Sequence, residues 1–217
     1  SKIQTIWNGS IAGVDFKKIH LNTLDKNILR QSLGFSKEDV IILFMSRMTR
    51  EKGFMEVLNA YKRLSQISEK YKLLLIGPDD ENLVSNCNLL VDMNVVHLNY
   101  VNNPSKYMQI SDIFVSPSYR EGLPMTLLEA LSYNSKAFVS NIYGNNDLVK
   151  HGFNGFLHES GDWVTLSQQI EDFLSKKIKL SCGDCSELIK SKYDREVFAV
   201  YFKRFILKQI DIIKEKK

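Results

Sequence analysis

Cysteine is scarce in this chain, with 3 in 217 residues. So low and odd a count excludes a disulfide framework and fits a reducing compartment. One pair, Cys182-Gly183-Asp184-Cys185, has metal-type spacing, but no second Cys or His pair accompanies it and it follows no predicted strand. Neither a zinc site nor a thioredoxin-like role is supported by a lone pair of that kind. The four histidines fall in different segments without ligand spacing. Long apolar runs are missing too, and none approaches the ~20 residues that span a bilayer. Ser1 to Ser10 has neither the apolar core of a signal peptide nor an Arg-rich transit pattern. No Gly-x-Gly-x-x-Gly follows a strand, which argues against a dinucleotide oxidoreductase. No Gly-x4-Gly-Lys-Ser/Thr exists, which argues against a P-loop nucleotidase. A net charge of +4, mixed with acids, is too small to indicate a nucleic-acid partner. The terminal Lys214-Glu215-Lys216-Lys217 suits a solvated helix end.

What is present is an ordinary globular composition, 44% hydrophobic and 25% charged, enough to build a core and to exclude disorder as the main state. The expectation is a soluble, cytoplasmic, mildly basic protein. Its length suits one domain or one and a half, which leaves open where a second substrate would sit.

Short β-branched runs alternate with amphipathic stretches. Val40 to Met45 is a continuous apolar run of strand length, followed by Phe54, Val57, Leu58, Tyr61 and Leu64 on one helical face. Leu73 to Ile76 predicts a second strand, closed by the turn residues Gly77-Pro78-Asp79-Asp80. A helix over Asn82–Val91 and a strand over Val95–Leu98 come next, then a short helix opened by Pro104. Ile113–Val115 predicts a fourth strand, Leu123–Tyr133 a helix, Lys136–Ser140 a fifth strand and Gly155–Leu157 a short sixth. Strands apolar throughout are buried on both faces. With helices between them, they predict an α/β fold: a Rossmann-like, doubly wound parallel sheet flanked by helices.

The domain organisation expected is a polar linker and lead-in over residues 1–37, the Rossmann-like domain over 38–193, and a terminal helix over 194–217. That helix is apolar nearly all the way round, so it needs more than one neighbour to cover it.

In a doubly wound sheet, ligands bind beyond the carboxyl ends of the strands. The loop after the first strand, Ser46-Arg47-Met48-Thr49-Arg50-Glu51-Lys52-Gly53, carries three cations. Arg grips phosphate through parallel hydrogen bonds and Lys acts as a point charge, so this is either an anion site or a solvated charged loop. After the fourth strand come Glu121, Gly122, Leu123, Pro124, Met125, Thr126 and, within the next helix, Glu129. Gly122 allows a tight turn and Pro124 sets the first helical turn. The amides of Met125 and Thr126 would then face an anion such as a diphosphate. Carboxylates repel phosphate, so the partners of Glu121 and Glu129 would be hydroxyls. Such a loop suits a nucleotide-sugar; the alternative is that Glu129 caps or pairs on the surface. Gly144 and its neighbours after the fifth strand form either another part of the rim or a plain turn.

Taken in order, Asn8-Gly9-Ser10-x-x-Gly13-Val14-Asp15, Arg47-x4-Lys52-Gly53, Glu121-Gly122-Leu123-Pro124-x4-Glu129-Ala130 and Gly144-Asn145-x-Asp147-Leu148-Val149-x-x-Gly152-x-Asn154-Gly155 make one collinear pattern. It resembles the C-terminal half of the retaining glycosyltransferases of family four, which have the GT-B fold, and it covers practically the whole chain. The resemblance implies that Arg47 and Lys52 neutralise the donor diphosphate, that Glu121 contacts the donor sugar and that Glu129 binds the ribose hydroxyls. It implies that the amides of Leu123, Met125 and Thr126 face sugar and phosphates, and that main chain near Tyr100-Val101 contacts the base. Catalysis would rest on Glu121, Arg47 and Lys52, with no metal and no cofactor, since the cations and helix amides meet the charge that builds on the leaving diphosphate.

The same resemblance implies a partner domain. In the family, an N-terminal domain binds the acceptor and closes over the donor, and the terminal helix crosses back onto it. The chain would then be the donor half of a larger enzyme, or of a two-chain transferase, and inactive alone. The expected donor is a nucleoside diphosphate sugar, UDP-linked hexose or N-acetylhexosamine foremost. The expected acceptor is a glycan or lipid-linked glycan of capsule or other surface polysaccharide, which would put the complete enzyme at the inner face of the cell membrane as a peripheral protein. Two alternatives stand beside it: another GT-B enzyme such as a nucleotide-sugar 2-epimerase, and a non-catalytic sugar-nucleotide-binding subunit.

Overall fold

Apolar runs too short for buried helices become the strands of one sheet. The computed structural model describes residues 14–15, 21–87 and 94–215, giving backbone alone for Gln209 and 211–215. Six strands pair in parallel: β1 (Val40–Met45), β2 (Tyr71–Ile76), β3 (Val95–Leu98), β4 (Ile113–Ser116), β5 (Lys136–Ser140) and β6 (Gly155–His158). Their order across the sheet is β3-β2-β1-β4-β5-β6. In β1 and β4, Leu43 faces Phe114 in register, and both are buried, as a two-sided central strand requires.

Alternation along the strands splits the core in two. On one face Ile42, Phe44, Leu73, Leu75, Val115 and Phe138 pack under α2 (Phe54–Ile67) and α7 (Trp163–Leu174). The predicted stripe Phe54, Val57, Leu58, Tyr61 and Leu64 is the buried side of α2. On the other face Leu43, Leu74, Phe114, Ala137 and Val139 pack under α4 (Pro104–Ile110), α5 (Met125–Ser132) and α8 (Ser186–Tyr193). The doubly wound, Rossmann-like architecture expected from the sequence is the one observed.

Three local features differ from expectation. Within the predicted lead-in, α1 (Thr23–Ser32) forms a capped helix: Asn22 Oδ1 accepts from the Asp25 amide at 2.8 Å. It buries no residue completely, which is why its apolar period is weak in the sequence. Instead Arg30 anchors it, donating to the Ile110 carbonyl at 2.8 Å and pairing with Asp112 at 3.4 Å. The helix predicted over Asn82–Val91 is α3 (Leu83–Asn86), begun by Asp79, whose Oδ1 accepts from the Leu83 amide at 2.7 Å; residues 88–93 lie outside the described residues. Cys182 and Cys185 are joined as a local disulfide, which the expectation of a reducing compartment without a disulfide framework did not foresee, and Cys87 is free.

Between β5 and β6 lies α6 (Asn145–Leu148), and the chain ends in α9 (Arg195–Glu215). Val14 forms a bridge beside Asp194, its N–H donating to the Tyr193 carbonyl at 2.7 Å, so the lead-in meets the start of α9. The motif residues Asn8 to Gly13 lie outside the described residues. Val200, Tyr201, Phe202, Ile206, Leu207 and Ile210 of α9 are exposed. No described helix is long and apolar enough to cross a membrane.

Candidate functional site

The strand order decides where a crevice opens. β1 and β4 are neighbours, yet the chain leaves β1 through α2 towards β2 and leaves β4 through α5 towards β5, on opposite faces. The loops after β1 and β4 therefore part above the sheet, and a ligand crevice lies at such a switch point. Arg47 and Lys52 lie on or beside the first loop, Glu121 to Met125 on or beside the second, with Thr126 and Glu129 in the first two turns of α5.

At their bases the two loops pack directly on each other. Gly53 adopts a positive φ of 77°, and a Cβ there would stand 2.1 Å from the Pro117 carbonyl oxygen. On the other side Gly144, φ 90°, would place a Cβ 2.1 Å from the Gly122 carbonyl. Only glycine combines that backbone with that approach. The turn at Gly144 is thus packed directly on the β4–α5 loop. The Tyr119 N–H donates to the Glu51 carbonyl at 2.9 Å.

Across this seam Lys52 Nζ pairs with Glu121 Oε1 at 2.9 Å, their side chains 18% and 15% exposed. Arg47 stands apart. Its guanidinium is 57% exposed and pairs with Asp80 of the β2–α3 loop at 3.7 Å, while the neighbouring Met48 N–H donates to the Pro78 carbonyl at 2.8 Å. The N-cap of α5 is Pro124, which offers no side chain to the first-turn amides, and Met125 is 36% exposed above them. Thr126 and Glu129 are half-buried. In the loop after β3, Val101 packs half-buried on the core while Tyr100 is exposed.

Several residues support this site that, Asn145 apart, the motifs did not single out. The Tyr119 phenol donates to Glu56 Oε1 at 2.6 Å, and that bond to a carboxylate raises its pKa above the ordinary value. Beneath the loop, the Ser140 hydroxyl donates to the Ser118 carbonyl, and Asn145 Nδ2 donates to the Ser140 carbonyl and hydroxyl at 3.1 and 3.2 Å. His158, in register with Ser140 on the next strand, is buried with neither ring nitrogen hydrogen-bonded. Burial lowers its pKa to about 4, opposed by the nearby Asp162 charge. Tyr119, Ser140 and His158 lie at or just beyond strand carboxyl ends, which is their sequence signal; Asn145 lies in the Gly144-Asn145-x-Asp147 pattern, and Glu56 carries no signal. At the opposite end of the sheet lies a cavity of about 430 Å³. Two of its charged groups serve the fold: Lys136 donates to Asn134 and the Gly183 carbonyl, and Asp112 accepts from the Ile41 amide. No group of metal-ligating side chains occurs among the described residues.

Cations on one loop, a carboxylate on the other and a second carboxylate in the helix that follows, all at a switch point, are chemistry for an anionic, hydroxyl-rich ligand. The sequence pattern of the family "Glycosyl transferases group 1" matches residues 25–194. The chain belongs to that family. It is 28% identical over 180 residues to the capsular polysaccharide biosynthesis glycosyltransferase CapM of Staphylococcus aureus, covering 81% of this chain and 47% of the relative. It is 30% identical over 221 residues to the Escherichia coli UDP-Gal:alpha-D-GlcNAc-diphosphoundecaprenol alpha-1,3-galactosyltransferase, covering 99% of this chain and 53% of that enzyme. The chain thus spans about half the length of these curated relatives. In fold, it is similar to Anabaena HepE in complex with UDP-glucose, with a TM-score of 0.80 at 20% identity over 90% of this chain and 56% of that one.

Proposed function

We propose that this group 1 glycosyl transferase chain is the donor-binding half of a retaining enzyme that moves a sugar from a nucleoside diphosphate, UDP foremost, to a glycan or lipid-linked acceptor during surface polysaccharide assembly. The observation that carries the reading is the half-buried Lys52–Glu121 pair bridging the two switch-point loops, one charge suited to phosphate and the other to sugar hydroxyls. The UDP-galactose donor of the E. coli relative and the UDP-glucose bound by the structurally similar Anabaena protein support the choice of UDP.

In this reading the diphosphate enters between Lys52 and the amides of Met125 and Thr126, and Arg47 swings from Asp80 to meet it. Glu121 releases Lys52 and accepts a sugar hydroxyl, Glu129 accepts from the ribose, and backbone near Val101 meets the base. As the bond to the anomeric carbon breaks, negative charge grows on the leaving diphosphate. Preset cations and amides stabilise that charge more than the ground state, which lowers the barrier. These groups supply the positive charge themselves, so transfer is expected without a metal or cofactor.

The relatives are about twice as long, and the acceptor half is assigned to the missing length. The exposed apolar side of α9 is assigned to contact with that half, and this chain alone is expected to show negligible turnover. Association with the inner face of the membrane belongs to the assembled enzyme.

Calorimetry against UDP and UDP-glucose tests the reading, with and without a divalent cation. Binding independent of the cation, lost in folded Arg47→Ala and Glu129→Ala variants, supports it. No heat of binding at millimolar nucleotide overturns it.

A further inference from the structure

The Lys52–Glu121 pair spans two loops of different origin, so its geometry depends on whatever locks those loops together. We infer that Tyr119 is the positioning residue for Glu121, clamping the β4–α5 loop to the β1–α2 loop and to the first turn of α2; the functional half of this inference rests on the donor-site reading above.

Tyr119 lies two residues before Glu121 and is held from three sides. Its N–H is bonded to the Glu51 carbonyl at 2.9 Å. Its phenol donates to Glu56 at 2.6 Å, a length suited to an ionised acceptor. Behind it, the chain at Gly161 runs so close that a Cβ there would stand 3.1 Å from the phenol oxygen. Glu56 is a stiff anchor because it sits in the first turn of α2, where the helix dipole favours a carboxylate. Its second oxygen, Oε2, is buried with no hydrogen-bond partner, so the phenol is what satisfies this carboxylate among the described residues. A tyrosine has few rotors, so a phenol held by Glu56 together with a backbone N–H held by Glu51 restrains the backbone between Pro117 and Glu121. Displacement of a substrate-facing group by ~1 Å is enough to cost most of its effect.

Hydrogen–deuterium exchange and calorimetry on the full chain decide this, using Tyr119→Phe, Glu56→Ala and Glu56→Gln. The first two variants are expected to exchange about tenfold faster over residues 117–123, as loss of a charge-assisted hydrogen bond implies. Exchange in β1 and β4 stays as in the parent, and Glu56→Gln, which still offers a carbonyl to the phenol but without the charge, falls between the parent and Glu56→Ala. UDP-glucose affinity falls about tenfold in the first two variants. Affinity for uridine monophosphate, which reaches Glu129 but not the sugar side of Glu121, is retained. Parent-like exchange in Tyr119→Phe, or equal loss of both ligands, overturns the clamp. If the parent binds neither nucleotide, the donor-site reading falls, and the exchange result still decides whether Tyr119 holds the loop.

Discussion

Lys52 and Glu121, 69 residues apart in sequence, meet at 2.9 Å across the seam between the β1–α2 and β4–α5 loops. Each neutralises the other, so under the proposed donor-site reading a diphosphate would have to win Lys52 from the carboxylate. Glu121→Gln removes the competitor and a repulsive charge together. UDP should therefore bind several-fold tighter to Glu121→Gln than to the parent, while the preference for UDP-glucose over UDP shrinks. Lys52→Met should weaken both ligands at least tenfold. It should also cost about 1–2 kcal/mol of stability, because Glu121 is left half-buried without its cation. Titration calorimetry and urea unfolding of the two variants check this, and weaker UDP binding by Glu121→Gln would contradict the competition.

Arg47 makes a contrasting case. Its pair with Asp80 is long and largely exposed, and such pairs contribute little to folding. Arg47→Ala should leave the urea midpoint unchanged, yet reduce UDP affinity about five- to tenfold through loss of a charged phosphate contact. Asp80→Asn frees the guanidinium and should raise affinity modestly. The salt dependence of binding should flatten in Arg47→Ala. An unchanged affinity there would remove Arg47 from the site.

Gly53→Ala and Gly144→Ala should both be damaging, for one reason. Each would force a Cβ to 2.1 Å from a carbonyl on a backbone that already has positive φ, so the loops must separate. A loss of about 2 kcal/mol or more in urea unfolding is expected for each, with nucleotide binding lost in protein that remains folded. Gly122, whose Cβ would meet nothing within 4 Å, serves as the control: Gly122→Ala should fold and bind nearly as the parent. Equal behaviour of the three variants would show that loop interlock is not what shapes the crevice.

How much of this was legible beforehand follows from where each interaction lives. β1, β2, β4 and β5 are visible as apolar runs because both faces of the sheet are covered, and the stripe on α2 is visible because one side of it alone is buried. α1 is nearly invisible, since Arg30 reaching to Ile110 and Asp112 does the work that buried apolar residues do elsewhere. Within the site, Lys52 and Glu121 stand out as charged residues after strands, and their likeness to a family pattern names them. That they hold each other, that Arg47 turns to Asp80, and that Tyr119 reaches Glu56 across 63 residues are products of the strand order. No local pattern carries them. The Cys182–Cys185 disulfide is not legible because a lone Cys-x-x-Cys pair points to neither a metal nor a redox role, and its spacing alone does not say whether the two thiols are joined.

His158 supplies a pH test that the motifs would not suggest. Its side chain is 4% exposed, and burial holds its pKa at about 4, against an ordinary 6.5. The native state therefore keeps the ring neutral at a pH where the unfolded chain has already taken up a proton. Neutral burial contributes full stability above pH 6.5, and that contribution is lost as pH falls from about 6.5 to about 4, by roughly 3 kcal/mol at most. Other groups titrate in the same window, so the parent alone cannot isolate the effect. His158→Leu fills a similar space on the same strand and does not titrate. The stability of the variant minus that of the parent, from urea unfolding at pH 7.5, 5.5 and 4.5, should grow steadily towards acid. Since neither ring nitrogen has a hydrogen-bond partner, the leucine leaves no group behind to be satisfied. Parallel pH profiles for the two proteins would show that His158 is solvated or partnered at the carboxyl end of β6.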